Sequence, residues 1–303
     1  MEALRQFRKA VTFGALRVGM EAARQTAGVE VIETLRAAGL GLTRVLLPLR
    51  RRLRTNMKLA GVWRPGLEDE HFARALDQMA MLAHVFRAGF AASGCGERFR
   101  FDGSLGRLRQ AYEAGRGVIH IAPHLCGYPL YPPAVTPHVP CSIYLRRNTD
   151  PRKMRINEAI GRAGDGHLVA PPPGATKAQR LQVALDVLRA GRVLYITPDT
   201  PRKPRDGVAV TVLGRTTHFP TGVFVMSLRT GAPVVPAWWH WDDGAYHVRC
   251  GEPISLTRGR RLRQQAEDAM QAWAADVDAF LRAHPAMWWN WLDKRWTRIV
   301  RGV

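Results

Sequence analysis

Cysteine is scarce in this sequence of 303 residues, which contains four cysteines and no CxxC pair. The four residues, Cys95, Cys126, Cys141 and Cys250, lie far apart along the chain. This spacing disfavours a structural zinc site or a disulfide framework and fits a reducing compartment. Neither a cluster of metal ligands nor a phosphate-binding P-loop is found. We therefore expect neither a metal nor a cofactor.

Long apolar runs are also absent. No uncharged apolar stretch approaches the roughly 18 residues that are needed to span a bilayer. The first residues, MEALRQFRKAV, lack the apolar core and the cleavage site of a secretory signal. These absences predict a cytoplasmic protein whose contact with a membrane is peripheral.

Acidic residues are heavily outnumbered by basic ones. The chain has 25 Asp and Glu against 45 Lys and Arg, which gives a formal net charge of +20. Such a charge predicts a polyanionic partner, which is a nucleic acid, an anionic membrane surface or an acidic carrier protein. Because 46% of the residues are hydrophobic, the chain is long and apolar enough to bury a sizeable core.

Residues 1–60 show two amphipathic stripes, in which apolar positions recur at steps of three and four residues. The second stripe, over residues 31–53, ends in a cluster of arginines at 50, 51, 52 and 54. Such a pattern is typical of a helix in a membrane interface, and equally of a helix that packs on a core with a solvated basic face. We predict a basic amphipathic membrane-docking segment over residues 1–60 and an α/β domain over residues 61–303.

From residue 105 onward, helical patterns alternate with short apolar runs. This alternation predicts an α/β fold with a mixed, largely parallel central sheet flanked by helices. The predicted strands are Val118–Ala122, Ser142–Arg146, His167–Ala170, Val193–Thr197, Val208–Leu213, Pro233–Trp241 and Tyr246–Cys250.

Two titratable residues follow predicted parallel strands directly. His124 comes after Val118–Ala122, and Asp199 comes after Val193–Thr197. The carboxyl ends of parallel strands meet at one edge of a sheet, where α/β proteins place their chemistry. There His124 suits a general base, with Asp199 as the nearest carboxylate. The alternative roles are structural: a loop histidine and a turn or N-cap aspartate.

Three further groups have both a functional and a structural interpretation. Arg146 and Arg147 at a strand end suit a phosphate or carboxylate, or form a solvated charge pair. Cys126 is a candidate nucleophile beside His124, although a free cysteine is more often a small buried hydrophobe. Tryptophans of the last quarter suit a nucleic-acid surface or an interface between apolar and wet phases. They are Trp238, Trp239, Trp241, Trp288, Trp289, Trp291 and Trp296.

A series of sequence blocks occurs in a defined order. The blocks are Asn56-Met-Lys-Leu-Ala, Gly115-Arg-Gly-Val-Ile followed by His124, Tyr144-Leu-Arg-Arg-Asn148, Gly191-Arg-Val-Leu-Tyr-Ile-Thr-Pro-Asp199, Thr230-Gly-Ala-Pro-Val-Val-Pro, and Pro285-Ala-Met-Trp-Trp-Asn-Trp291 with Lys294-Arg-Trp296. In these blocks the chain, from about Asn56 to Trp296, resembles the bacterial lipid A biosynthesis acyltransferases. These form the lauroyl and myristoyl transferase branch of the lysophospholipid acyltransferase superfamily.

The resemblance implies transfer of a fatty acyl chain from acyl carrier protein or CoA to a hydroxyl or amine of a lipid. It places the protein peripherally at the cytoplasmic face of the inner membrane, with a lipid acceptor and an acyl thioester as partners and no nucleic acid. No cofactor besides the acyl thioester is implied. His124 is the implied base. The implied substrate-binding residues are Arg146, Arg147, Asn148, Arg162 and Tyr128.

One position departs from the family pattern. In the family an acid follows the catalytic histidine after four residues, and Pro129 stands there in this sequence. Either Asp199 orients His124 instead, with Tyr128 or Tyr131 as weaker partners, or the protein binds lipid or acyl chains without transferring them. A carboxylate within hydrogen-bond reach of His124 would favour transfer.

Overall fold

A computed structural model describes residues 47–145, 151–163, 167–256 and 261–302, together with the isolated positions 34, 37, 39 and 41. Most of the predicted docking segment over residues 1–60 lies outside the described residues. None of the helices in the described part has the length and apolar character that crossing a membrane requires.

The strands form one large sheet and one hairpin. They are β1 (Phe99–Phe101), β2 (Val118–Ile121), β3 (Cys141–Tyr144), β4 (His167–Val169), β5 (Val193–Ile196), β6 (Val208–Val212), β7 (Arg215–Phe219), β8 (Val234–Asp242) and β9 (Ala245–Cys250). The sheet has seven strands in the order β1-β9-β8-β2-β5-β3-β4, and β6 pairs with β7 in a separate antiparallel hairpin. Within the described part of the sheet, neighbouring strands are parallel except for β8 and β9.

Helices cover the sheet, as the predicted α/β fold class requires, and that prediction is confirmed. The described helices are α1 (Leu47–Leu59), α2 (Leu67–Ala88), α3 (Leu105–Glu113), α4 (Tyr131–Val135), α5 (Pro151–Ala163), α6 (Lys177–Arg189), α7 (Gly222–Thr230), α8 (Leu262–Ala283) and α9 (Lys294–Arg301). Among them, α3 contacts β2 and β8, α6 contacts β5, and α7 contacts β8.

Strand β2 lies at the centre of the sheet between β8 and β5. All four of its side chains are fully buried, including that of His120, as expected for a strand with a helix layer on each face. Nδ1 of His120 donates to the carbonyl of Val235 over 2.8 Å, and its Nε2 accepts from the Tyr131 hydroxyl over 2.7 Å. Burial lowers the pKa of His120 to about 4, and the bond to Val235 opposes this only in part.

Helix α1 lies within the predicted docking segment, and it packs onto the C-terminal elements. Leu53 and Met57 are fully buried on its inner face. The Asn56 side-chain amide donates to the Trp291 carbonyl over 2.9 Å and to the Thr297 hydroxyl over 3.1 Å. The domain boundary at residue 60 stays a prediction.

Candidate active site

Strands β2 and β5 bring two chain segments to the same edge of the sheet. They are parallel neighbours in which Ile121 pairs with Ile196. Each strand is followed by a proline, Pro123 or Pro198, which cannot donate a ladder hydrogen bond and so favours the end of the strand. His124 and Asp199 come directly after these prolines, and the structure brings the two side chains together.

The imidazole of His124 is bound to Asp199 on one side. Oδ1 of Asp199 lies within hydrogen-bond distance of Nδ1 of His124, and Oδ2 accepts from the backbone N–H of His124 over 3.0 Å. A carboxylate accepts but does not donate, so the proton of the neutral imidazole is on Nδ1. Nε2 therefore keeps its lone pair, and the Thr197 hydroxyl lies 3.0 Å from it. The His124 side chain is 19% exposed.

The carboxylate of Asp199 is fully buried and is surrounded by donors from the C-terminal segment. The Trp288 indole N–H and the Asn290 amide donate to Oδ2 over 3.2 and 3.0 Å. The Trp296 indole N–H donates to the Asp199 backbone carbonyl over 3.2 Å. The same segment holds the histidine, because the Trp289 backbone N–H donates to the His124 carbonyl over 2.8 Å.

These contacts decide the charge of Asp199. Burial alone would raise the pKa of its carboxyl, but the nearby His124, the two N–H groups of that residue and the Trp288 indole together lower it below the usual range. Asp199 is therefore an ionised carboxylate at neutral pH. Such a group holds an imidazole in one tautomer and stabilises the imidazolium that forms when the ring accepts a proton.

Tyr128 lies beside the imidazole without bonding to it. Its ring meets the His124 ring edge-on, with the centroids 5.0 Å apart. Burial, followed by the negative charge of Asp199, raises the pKa of Tyr128 to about 12, so its hydroxyl stays protonated. Tyr131 is not a partner of His124, because its hydroxyl contacts His120 instead.

Cys126 is not suited to act as the nucleophile. Its side chain is fully buried, and burial raises the pKa of the thiol to about 12. The nucleophilic form of cysteine is the thiolate. The structure therefore favours the alternative that Cys126 is a small buried hydrophobe.

Apart from Tyr128, the predicted substrate-binding residues are not brought to His124 by the described part of the chain. Arg146, Arg147 and Asn148 lie outside the described residues. Arg162 is exposed on α5, and no contact joins it to His124 among the residues that are described.

A basic cleft lies between helices α1 and α9. Its volume is about 350 Å³, and it is lined by Arg52, Lys294, Thr297, Arg298 and Arg301. The Arg52 guanidinium donates to the Thr297 hydroxyl over 3.1 Å. Within the described ranges, no carboxylate pairs with any of these four cations. The basic cleft is therefore a place where an anion would find unneutralised positive charge.

The tryptophans of the last quarter belong largely to the core. Five of the seven are buried, and for these five the interpretation as a nucleic-acid or phase-interface surface is wrong. These five are Trp238, Trp239, Trp288, Trp291 and Trp296.

Two residues of the site were not singled out from the sequence. Asn290 stands inside the tryptophan-rich ending, and Thr197 directly precedes Pro198 and Asp199. Both residues lie inside the sequence blocks that resemble the acyltransferase family, and this placement could have identified them as site residues.

Fold and site together define a class of protein. It is an α/β protein that carries a histidine, held by a buried aspartate, at the carboxyl ends of two adjacent parallel strands. A family model described as bacterial lipid A biosynthesis acyltransferase matches residues 37–298. Because the match covers most of the chain, the protein belongs to this family, and the predicted family membership is confirmed. No curated protein matches the sequence.

Proposed function

We propose that the protein is an active acyltransferase. It moves a fatty acyl chain from a thioester of acyl carrier protein or CoA to a hydroxyl or amine of a lipid acceptor. Family membership supports acyl transfer in general. The observation that carries the proposal is the bond between His124 Nδ1 and the buried carboxylate of Asp199. This bond leaves Nε2 as the proton acceptor of a His124 side chain that is 19% exposed.

In the proposed reaction, His124 acts as the general base. Nε2 removes the proton of the acceptor as its oxygen or nitrogen bonds to the thioester carbonyl carbon. The carbon–sulfur bond then breaks, and the imidazolium returns the proton to the departing thiolate. Asp199 stays ionised throughout and stabilises the imidazolium. No cofactor is needed, so we expect transfer to be unchanged by a metal chelator.

Asp199 takes the role of the acid that is absent at Pro129. A proline has no side-chain acceptor, whereas Asp199 is already bonded to both N–H groups of His124. This arrangement supports transfer over the alternative of a relative that only binds lipid or acyl chains.

The charge of the chain supports anionic partners. A net charge of +20 and the basic cleft suit a phosphorylated lipid, an anionic bilayer or an acidic carrier protein. We propose that the protein associates peripherally with the cytoplasmic face of the inner membrane through residues 1–60. Arg146, Arg147, Asn148, Arg162 and Tyr128 remain the proposed substrate-binding residues.

A deletion tests the membrane proposal. Removing residues 1–46 spares helix α1 and its buried contacts, so the α/β domain is expected to fold. The full chain should sediment with vesicles of phosphatidylglycerol, and the truncated chain should not. Equal sedimentation of the two chains would contradict docking through residues 1–46.

Acyl transfer is the direct test of the proposed function. Labelled acyl carrier protein and acyl-CoA are each offered with a panel of bacterial membrane lipids, beside the His124→Ala variant. The proposal expects a labelled lipid product that disappears in the variant. No product with either donor, together with saturable lipid binding by both proteins, would favour the binding alternative.

A further inference from the structure

The basic cleft between α1 and α9 is built around a buried hydroxyl. Thr297 is 7% exposed, and its hydroxyl oxygen accepts from the Arg52 guanidinium and from the Asn56 amide, each over 3.1 Å. A hydroxyl has two lone pairs and one proton, so these two bonds use both lone pairs. No acceptor for the proton is found among the described residues. Thr297, which lines the cleft, can therefore donate this proton to a ligand.

The buried side chain of Asn56 holds the cleft in shape. Its amide nitrogen donates to the Trp291 carbonyl and to the Thr297 hydroxyl, and its Oδ1 accepts from the Arg301 guanidinium over 3.4 Å. These bonds, with the one from Arg52 to Thr297, place two arginines at the cleft before any ligand enters. Such preorganisation lowers the entropic cost of binding.

Charge and apolar surface together define the ligand that fits this cleft. Its four cations have no carboxylate partner in the described ranges, which suits an anion with several oxygens. Most of the remaining lining is hydrocarbon from the stems of these long side chains. An amphipathic anion matches both parts of the lining, whereas a free inorganic ion matches only the charge. The four cations are Arg52, Lys294, Arg298 and Arg301.

We infer that the basic cleft binds the phosphate headgroup of an anionic membrane lipid. Helix α1 belongs to the segment that we propose to dock on the membrane, so the cleft lies beside the bilayer surface in the docked protein. A recess lined by five residues, with a volume of about 350 Å³, takes a single inserted group. An acidic carrier protein would need an extended contact surface instead.

The cleft is connected to the candidate active site through α9. Thr297 directly follows Trp296, whose indole N–H donates to the Asp199 carbonyl over 3.2 Å. A headgroup that contacts both α1 and α9 would therefore strengthen the packing of the helix that holds Asp199. Because a ligand that binds only the folded chain stabilises it, we expect anionic lipid to raise the melting temperature.

The test is isothermal titration of the full chain with dihexanoyl-phosphatidylglycerol, a lipid that dissolves as monomers. No thioester is present, so the result does not depend on acyl transfer. We expect saturable binding that raises the melting temperature. Dihexanoyl-phosphatidylcholine, whose choline the cations repel, and inorganic phosphate, which leaves the apolar lining uncovered, should each bind about tenfold more weakly or less.

The variant Arg298→Gln tests the cleft with little risk to the fold, because Arg298 is exposed on α9. The affinity for dihexanoyl-phosphatidylglycerol should fall by about tenfold or more, which corresponds to the loss of a hydrogen bond between charged groups. Arg51→Gln is the matched control. Arg51 is exposed on α1 and does not line the cleft, so this variant loses the same charge and should bind like the wild type.

Position 297 gives a second comparison, which a general effect of positive charge would not produce. Thr297→Ser keeps a hydroxyl and should bind the lipid with the affinity of the wild type. Thr297→Val keeps the volume but has no proton to donate, and its affinity should be about tenfold lower. Both variants are titrated below their own melting temperatures, which are measured first.

The outcomes separate this inference from the proposed function. It would be overturned if the wild type did not bind dihexanoyl-phosphatidylglycerol, or if Arg298→Gln bound it equally well. Equal affinity for inorganic phosphate would contradict the assignment to a lipid. Weakened binding of acyl carrier protein by Arg298→Gln, with unchanged lipid binding, would assign the cleft to the carrier protein instead. Each of these results leaves acyl transfer through His124 standing, because the lipid product of that reaction is measured separately.

Discussion

The indole N–H of Trp288 donates to Oδ2 of Asp199 over 3.2 Å, from a position 89 residues further along the chain. The Asn290 amide meets the same oxygen from the next turn. The tryptophan-rich ending of the chain thus encloses the acid of the candidate site. The Trp288 N–H adds to the larger effect of His124 in lowering the pKa of this buried carboxyl, because hydrogen bonds to the charged form favour that form.

The bond between Trp288 and Asp199 gives a prediction about stability. Trp288→Phe keeps most of the buried volume but removes a donor to a charged group. We expect a loss of about 1.5–3 kcal/mol in the free energy of unfolding, together with a lower rate of transfer. The free energy is measured by urea unfolding at pH 7, followed by far-UV circular dichroism.

Trp291→Phe is the matched control for this prediction. Trp291 is also buried, and its indole N–H donates over 2.7 Å to the neutral carbonyl of Pro285. A bond between neutral groups contributes less, about 0.5–1.5 kcal/mol, and it does not involve Asp199. An equal loss of stability and of transfer rate in both variants would contradict the assigned role of Trp288.

Two buried histidines predict how stability depends on pH. Burial lowers the pKa of both His71 and His120 to about 4 from 6.5. In the unfolded chain each histidine binds a proton below about pH 6.5, whereas in the folded chain it does so only near pH 4. The free energy of unfolding is therefore unaffected by these two histidines above about pH 6.5, and it falls as the pH drops from 6.5 towards 4. We expect each histidine to account for about 2 kcal/mol of lost stability at pH 5.

The variant His71→Asn isolates one of these contributions. The asparagine amide can replace Nδ1 of His71, which lies 3.0 Å from the Ala286 carbonyl, but it does not titrate. Between pH 7 and pH 5, this variant should lose about 2 kcal/mol less in the free energy of unfolding than the wild type. His167→Asn, at an exposed position, serves as control. If His71→Asn lost as much free energy of unfolding between pH 7 and pH 5 as the wild type, the low pKa of His71 would be contradicted.

The Gly-Arg-Gly turn before β2 gives a prediction about packing. Gly115 and Gly117 both have positive φ, 73° and 69°, so alanine at either costs about 1–2 kcal/mol. A Cβ on Gly117 would also lie only 2.4 Å from the Leu188 carbonyl oxygen. A Cβ on Gly115 would have no such neighbour within 4 Å. Gly117→Ala should therefore be the more destabilised variant in thermal unfolding. Equal melting temperatures would show that α6 moves aside without cost.

Much of the central sheet could be predicted from the sequence. Strands β2 and β5 are short apolar runs bounded by glycine and proline, and their predicted ranges exceed the observed ones by a single residue at the carboxyl end. Because both strands are parallel neighbours, the proximity of His124 and Asp199 followed from their positions alone. Hairpin strand β7 has the sequence RTTHF. It was not predicted, because its mostly polar residues do not show the alternation of apolar and polar positions that indicates a strand.

The surroundings of Asp199 could not be predicted. They depend on contacts between residues about 90 positions apart, as the 91-residue separation of Asn290 and Asp199 shows, and no local periodicity records such a contact. For the same reason Trp288 and Trp296 resembled surface aromatics in the sequence, although both are buried. His120 also escaped notice, because only the tertiary structure brings its Nε2 to the Tyr131 hydroxyl.

The most direct test of this account is the rate of acyl transfer by Asp199→Asn. An amide in place of the carboxylate removes the charge that holds the proton on Nδ1 of His124. We predict a fall of about 10⁴-fold, the size of the effect when a triad acid is lost, with an unchanged circular dichroism spectrum. Asp206→Asn is the control, because Asp206 follows the same strand but pairs with the exposed Lys177, and it should retain full activity. Transfer by Asp199→Asn within about tenfold of the wild type would contradict the role of Asp199 as the acid that replaces the missing one.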